Sequence, residues 1–161
     1  MKHFQKLTAG ITLINKKYKK KEFYHYIKEP NNVIIVPIIK NKFVLVYQKR
    51  EPINKKNYEF PMGWIDKGET AIQAGKRELL EETGFKSVNK LKKLTVFYAD
   101  PGRGSRVVYC FFAKNFKKIK KKEKGIIVKM KTKDEIIQLI KKKKFNNASH
   151  ISAFFSYLNI E

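Results

Sequence analysis

Two apolar runs, at 33–39 and 43–48, constrain the fold of this chain more than any other feature of its sequence. Only Lys40, Asn41 and Lys42 separate them. Both runs are rich in β-branched and aromatic residues, so they are predicted to form a hairpin or two adjacent strands. The longest apolar runs, 33–39 and 107–113, are far shorter than the roughly 20 apolar residues that cross a bilayer, so we expect a soluble protein with no membrane segment.

Three helical patterns accompany the strand signals. Residues 70–83 carry an apolar stripe that Gly84 ends, and Thr132 opens a capping box ahead of a second stripe. A third helix is predicted over 148–158. Further strands are predicted over 10–14, 22–27, 58–60, 94–98, 106–113 and 126–130, and loops over most of 51–68 and over the lysine-rich segment 114–124. Because no regular βαβ alternation is present, the chain is predicted to be an α/β domain with a mixed sheet.

Lysine dominates the composition of the chain. The 161 residues include 37 Lys and Arg against 14 Asp and Glu, a formal charge of +23. Lys, Asn and Ile abound while Arg is scarce, as in a chain translated from an AT-rich coding sequence, so nucleic acid is possible as a partner but not favoured. The single cysteine, Cys110, indicates a reducing compartment, and the first ten residues lack a signal-peptide pattern. We therefore expect a cytoplasmic protein.

Six of the fourteen acidic residues fall within 59–82, a local reversal of sign in a basic chain. Glu78, Glu81 and Glu82 are spaced so that all three project from one side of the predicted helix. Clustered carboxylates repel one another, and a hard divalent cation such as Mg²⁺ or Mn²⁺ relieves that repulsion. The alternative from the helix alone is a solvated acidic face paired with nearby lysines.

The spacing around these glutamates is more specific than the cluster itself. Residues 63–85 read GWIDKGETAIQAGKRELLEETGF, which fits G-x5-E-x7-R-E-U-x-E-E-x-G-U without a mismatch, where U is a bulky apolar residue. At ordinary residue frequencies a chance match in a chain of this length is on the order of 10⁻⁷. The segment resembles the Nudix box. The resemblance implies an α/β/α sandwich with a mixed β-sheet between helices, and metal-dependent cleavage of a nucleoside diphosphate linked to another group.

The resemblance also implies roles for the residues of the box. Glu78 and Glu82 are expected to be the principal metal ligands, with Glu81 beside them and the carbonyl of Met62 as a further ligand. Glu123 is the candidate general base, and the alternative for it is a solvated loop charge. Four residues of the motif are expected to have structural roles. Glu69 and Arg77 are expected to form an ion pair that orients the carboxylates. Gly63 and Gly84 are expected to form tight backbone turns.

The flanking segments resemble the ADP-ribose pyrophosphatase subgroup. A Q-x-R ends at Arg50, an E-x-P-x-G begins at Glu59 with Met62 in place of the usual alanine, and Pro101 stands sixteen residues after the box. The implied reaction is hydrolysis of ADP-ribose to AMP and ribose 5-phosphate. The alternatives are a nucleoside triphosphate or dinucleoside polyphosphate pyrophosphohydrolase, and a basic RNA-binding Nudix protein or RNA 5′-end pyrophosphohydrolase. Arg106 departs from the subgroup, which often has an acid there.

Arginine is scarce in this chain, so the position of each one is informative. We expect Arg50 and one of Arg103 or Arg106 to contact substrate phosphates, because the guanidinium fork matches phosphate oxygens; the alternative is ordinary surface arginines. Trp64 is expected either to stack on a base or to pack within its loop. The expected substrate-binding set is Arg50, Glu59, Trp64, Pro101, Arg103 and Arg106.

The N-terminal segment is expected to form a separate element. Residues 1–30 are predicted to be a β extension that crosses to a second subunit of a homodimer, as in the subgroup, leaving 31–161 as the Nudix hydrolase domain. Phe23, Tyr24 and Tyr26 are candidates to stack on the nucleoside. The alternative is that these aromatic residues cover one face of the monomer's own sheet.

Overall fold

The computed structural model describes residues 2–8, 10–19, 22–119 and 122–161. Lys20 and Lys21, between the predicted strands 10–14 and 22–27, and Lys120 and Lys121, in the predicted 114–124 loop, lie outside the described residues. The helices are α1 (Ala71–Thr83), α2 (Lys133–Lys141) and α3 (Ala148–Leu158). The strands are β1 (Lys2–Thr8), β2 (Ile11–Lys19), β3 (Glu22–Lys28), β4 (Asn32–Ile39), β5 (Lys42–Arg50), β6 (Lys55–Glu59), β7 (Met62–Trp64), β8 (Phe85–Ser87), β9 (Lys92–Tyr98), β10 (Val107–Lys114), β11 (Phe116–Lys118) and β12 (Ile127–Lys131).

The main sheet is mixed and has the order β12-β5-β4-β10-β9, with β6 beside β5 and β7 beside β4. The β4–β10 pair is parallel, and the other pairs are antiparallel. The predicted hairpin is present, and its turn residues Lys40 and Asn41 both adopt the left-handed conformation. Beyond the hairpin turn, β4 and β5 no longer pair with each other. β4 pairs with β7, and β5 pairs with β6.

Alternate residues of the central strands supply two cores, one on each face of the sheet. On one face, Val33 and Ile35 of β4 pack with Ala74 and Leu79 of α1. On the opposite face, Ile34 and Val36 pack in a core that includes residues of the other two helices, Ile136, Ala153, Phe154 and Tyr157. The sheet therefore lies between α1 and the α2–α3 pair, which confirms the predicted α/β/α sandwich.

The N-terminal strands form a separate antiparallel sheet of order β1-β2-β3. Its last strand is joined to the 101–105 turn: the Ile27 N–H donates to the Arg103 carbonyl at 2.8 Å, and the Tyr24 hydroxyl donates to the Gly102 carbonyl at 2.6 Å. Phe23 and Tyr24 are exposed. The small sheet thus contacts the larger domain next to the predicted substrate residue Pro101.

Two predicted loops contain strands. β7 lies within 51–68, where a glycine and the shortness of the strand hide any alternation of apolar residues. β11 lies within the lysine-rich 114–124 segment, where Phe116 packs against Phe85 of β8 with ring centroids 6.5 Å apart. Each of these strands depends on a partner distant in sequence. Among the described helices, none is long and apolar enough to cross a membrane.

Candidate active site

The helix that carries the glutamates, α1, is fixed at both ends by local sequence. Thr70 and Gln73 form a capping box, in which the Thr70 hydroxyl accepts the Gln73 N–H and the Gln73 side chain accepts the Thr70 N–H. Gly84 ends the helix with a φ of 75°, a left-handed conformation that favours glycine. The turn predicted at Gly84 is therefore present, and the register of α1 is set independently of any ligand.

Glu82 joins α1 to the short strand β7. Its side chain is only 7% exposed, and its Oε2 accepts the backbone N–H of Met62 at 3.1 Å. Burial, with a contribution from the charge of Glu78, raises the pKa of Glu82 to about 8. The protein thus holds this carboxylate where its charged form is costly unless a cation is nearby.

Gly63 lies directly beneath the Glu78 carboxylate. A Cβ atom at position 63 would fall 1.9 Å from Glu78 Oε1, so any side chain there would displace the carboxylate. The sequence predicts a tight turn at this glycine, but Gly63 lies in the strand β7. A glycine is needed there because the Glu78 carboxylate approaches the backbone closely. Burial also raises the pKa of Glu78.

Arg77 connects the remaining acidic residues of the box. Its Nε and Nη2 donate to the two carboxylate oxygens of Glu69 at 3.1 and 2.9 Å, the expected ion pair. Its Nη1 donates to Glu78 at 2.6 Å and to Glu81 at 3.3 Å, and its Nη2 also donates to the Trp64 carbonyl at 2.9 Å. The hydrogen bonds from Arg77 lower the pKa of Glu69. One guanidinium therefore orients three carboxylates.

Arg50 and Glu59 form a second ion pair behind Glu82. Glu59 is 1% exposed and accepts hydrogen bonds from Arg50 Nε, at 3.0 and 3.2 Å, and from Arg50 Nη2. The positive charge of Arg50 acts to lower the pKa of Glu82, against the effect of burial. The structure thus places Arg50 within electrostatic range of Glu82.

Glu123 also reaches this cluster. Its backbone N–H donates to the Glu81 carbonyl at 2.9 Å, which holds the segment against the C-terminal end of α1. Its charge contributes to the raised pKa of Glu78. A cavity of about 640 Å³ opens beside it, lined by the C-terminal end of α1, by β12 and by Lys118, Lys122 and Lys124. Glu123, about forty residues after the glutamates of α1, therefore lies close to them in the fold.

Three of the other candidate substrate residues, Pro101, Arg103 and Arg106, lie where the N-terminal segment meets the rest of the chain. Arg106 Nη1 donates to Glu29 at 3.1 Å, and Arg103 accepts the Ile27 N–H through its carbonyl, so both arginines contact the N-terminal segment. Pro101 lines a cavity of about 470 Å³ at the same junction. Trp64 is 40% exposed at the end of β7. These contacts place Arg103 and Arg106 at the junction with the small sheet.

The donor set suits a hard divalent cation, although its side chains are turned to protein partners. In the described ranges, no three His, Cys, Asp or Glu side chains converge on one point. Glu78 is held by Arg77, and Glu82 by the Met62 N–H. Mg²⁺ and Mn²⁺ prefer oxygen ligands. Burial raises the pKa of both glutamates, and a bound cation would neutralise the charge of their carboxylates. Glu78 and Glu82, with Glu81 beside them, fit such an ion.

Sequence reasoning missed one residue of this region, His150 on α3. Its Nδ1 accepts the Phe60 N–H at 3.1 Å, and its Nε2 lies 3.8 Å from Glu59 Oε2. A lone histidine in an apolar helix gives no pattern that distinguishes such a contact from ordinary core packing.

Comparison with known proteins agrees with this geometry. Residues 28–149 match the profile of the NUDIX domain. The chain is 34% identical over 113 residues to an ADP-ribose pyrophosphatase of Bacillus subtilis, a match over 70% of this chain and 59% of the relative. It is 30% identical to a methanol dehydrogenase activator of Bacillus methanolicus, over 84% of this chain and 75% of that protein. A crystal structure of an ADP compounds hydrolase has the same fold, with a TM-score of 0.78 at 22% identity over 92% of this chain and 84% of that one. The chain belongs to the Nudix family.

Proposed function

We propose that this protein is a metal-dependent Nudix pyrophosphatase that hydrolyses ADP-ribose to AMP and ribose 5-phosphate. The observation that carries the proposal is the pair of carboxylates held against the backbone of β7, of which Glu82 is buried and Glu78 half-buried. The similarity to the ADP-ribose pyrophosphatase of Bacillus subtilis supports this substrate, although the chain spans only 59% of that relative's length.

Glu78 and Glu82 are proposed to hold the ion, with Glu81 and the Met62 carbonyl as further ligands and Mg²⁺ or Mn²⁺ as the cation. The chemistry that such an ion supplies is a lowered pKa of bound water and neutralisation of charge on phosphate oxygens. Arg77 keeps Glu78 and Glu81 oriented through its hydrogen bonds to both. Glu69 in turn holds the other edge of the guanidinium.

Two further side chains are proposed to act on the substrate directly. Glu123 is proposed to accept the proton of the attacking water at its carboxylate; its backbone bond to the C-terminal end of α1 and its charge interaction with Glu78 support this role. Arg50 is proposed to bind a phosphate oxygen: Glu59 fixes the guanidinium, and the Arg50 side chain remains 36% exposed. The ion pair preorganises the arginine for that contact.

The nucleoside is proposed to bind where the small sheet meets the 101–105 turn. The cavity there is lined by Tyr24, Tyr26 and Pro101, two aromatic faces and a rigid wall. Phe23 and Trp64 are exposed and remain candidates for stacking. We propose that β1–β3, the expected extension 1–30, complete this pocket in a cytoplasmic homodimer, with 31–161 as the catalytic domain.

A substrate panel tests this assignment. Purified protein with Mg²⁺ is offered ADP-ribose, other nucleotide sugars, nucleoside triphosphates and dinucleoside polyphosphates, and the products are identified by mass. We expect AMP and ribose 5-phosphate from ADP-ribose at the highest kcat/KM. Preference for another substrate by tenfold or more would replace ADP-ribose in the proposal.

The lysine side chains around the 640 Å³ cavity favour one second candidate, hydrolysis at the 5′ end of RNA. Lys118, Lys122 and Lys124 line the cavity next to Glu123, and cations there would attract a phosphate backbone. Changing these three lysines to Gln should weaken RNA binding and its salt dependence while leaving ADP-ribose turnover near the wild-type value. A large rise in KM for ADP-ribose would instead place the lysines in the ADP-ribose site.

A further inference from the structure

His150 is buried on α3, on the face of the sheet opposite α1. It has no exposed surface, and its Nδ1 accepts the N–H of Phe60 at 3.1 Å. The rings of Phe60 and Phe145 pack around the imidazole, with centroids 6.3 and 6.2 Å away. Burial lowers the pKa of His150 to about 4, so the ring is neutral at pH 7. Packing and the hydrogen bond together fix its orientation.

The hydrogen bond also fixes the tautomer of the ring. Because Nδ1 accepts from Phe60, the proton of the neutral imidazole lies on Nε2. Nε2 lies 3.8 Å from Glu59 Oε2, too far for a hydrogen bond, and it has no other hydrogen-bond partner in the described part of the chain. The N–H dipole therefore faces a buried carboxylate that holds Arg50. One ring contacts two consecutive residues.

Those two residues lead directly into the carboxylate site. Phe60 precedes Met62 by two positions, and the Met62 N–H is the donor to Glu82. Between them, the Pro61 carbonyl accepts the Ile35 N–H at 3.0 Å. The 59–62 segment is thus held at successive residues by α3, by β4 and by α1. On the α3 side, His150 hydrogen-bonds the backbone of this segment, while the Phe60 ring packs on Phe43 and Phe145.

We propose that His150 is a positioning residue of this site. By accepting the Phe60 N–H, it sets where the 59–62 backbone lies, and through that backbone it sets the position of the Met62 amide and of the Glu59–Arg50 pair. The kinetic part of the inference rests on the proposed pyrophosphatase function. The effect on carboxylate geometry does not, because a cation can be titrated without substrate.

Two substitutions at His150 separate positioning from packing. His150→Leu fills the space but leaves the buried Phe60 N–H without an acceptor. His150→Asn retains an acceptor, because its Oδ1 is as many bonds from Cα as Nδ1 of histidine. Phe154→Leu, four residues along α3, is the matched control: it thins the same core where Phe154 packs on Phe43, with centroids 5.3 Å apart. Each variant is assayed at a temperature at which circular dichroism shows it folded.

We expect His150→Leu to lower kcat for ADP-ribose by about 10- to 100-fold, the usual effect of losing a residue that orients a site. Its Mn²⁺ affinity, measured by calorimetry without substrate, should fall by about tenfold or more. His150→Asn and Phe154→Leu should lower Tm but keep kcat and Mn²⁺ affinity within about threefold of wild type. The proposal is wrong if His150→Leu stays within twofold of wild type in both measurements, or if His150→Asn loses as much as His150→Leu.

Failure of the proposed function gives a different result. If the wild-type protein does not hydrolyse ADP-ribose, the substrate assignment is wrong, and the Mn²⁺ titration of the same variants still decides the positioning role.

Discussion

The backbone N–H of Met62 donates to the Glu82 carboxylate at 3.1 Å and so connects β7 to α1. A neutral amide in place of the carboxylate keeps an acceptor for that N–H but loses the ligand charge. We therefore expect Glu82→Gln to remain folded while kcat for ADP-ribose falls by at least about 10²- to 10³-fold. The measurement is kcat with Mg²⁺ varied from low to saturating. Near-normal turnover at low Mg²⁺ would contradict the metal assignment.

The raised pKa of Glu82 predicts how stability varies with pH in the absence of metal. Burial raises the folded-state pKa to about 8, above the unfolded value near 4.5. The stability linked to this group is therefore fully present below pH 4.5 and is lost as the pH rises through 8. In EDTA, Tm of the wild type should fall relative to that of Glu82→Gln between pH 5 and 8. Parallel Tm curves for the two proteins would show that Glu82 does not titrate in this range.

The close approach of Gly63 to Glu78 predicts a loss of activity without a large loss of stability. A methyl group at position 63 displaces the flexible Glu78 carboxylate rather than the backbone. Gly63→Ala should lower kcat about 10- to 100-fold, since small misplacements of catalytic groups have effects of this size. Gly75→Ala is the control, because its new Cβ meets only apolar side-chain atoms, the nearest 3.1 Å away on Leu91. Equal kcat values for the two variants would show that Glu78 tolerates displacement.

The ion pair between Arg106 and Glu29 predicts a different effect of substitution from the one expected if Arg106 binds a phosphate. Arg106→Glu places two carboxylates together at the junction with the small sheet, and Tm should fall by about 2–4 °C. The double variant Glu29→Arg, Arg106→Glu should restore both Tm and kcat/KM for ADP-ribose. If Tm recovers while kcat/KM stays low, Arg106 is the member of the Arg103 and Arg106 pair that contacts the phosphates.

Local sequence predicted the elements that depend on local signals. Thr70, Thr132 and Gly84 carry their capping information within a few residues, so α1 and α2 begin, and α1 ends, where predicted. The Nudix box likewise lies within 23 consecutive residues, and its Arg77–Glu69 pair spans two turns of helix and loop.

Features that depend on distant partners were not predictable in this way. β7 exists because Met62 and Trp64 pair with β4, thirty residues earlier. Arg106 finds Glu29 across 77 positions, and Phe60 finds His150 across 90. No spacing rule in a single sequence connects residues so far apart, so the ion pair at the small sheet and the support behind Glu59 emerge only from the fold.

The crossing of the chain from β6 to β7 has a consequence for how the protein opens. Because β6 is bonded to β5 and β7 to β4, the two-residue connection at Phe60 and Pro61 closes the gap between the two halves of the sheet. Moving this connection away from β4 and α1 breaks the Ile35 N–H bond to the Pro61 carbonyl and the Met62 N–H bond to Glu82 together. The amide protons of Ile35 and Met62 should therefore exchange with solvent only in the globally unfolded protein, while those of β1–β3 exchange through local opening. We therefore expect the site to lie in the last part of the molecule to unfold.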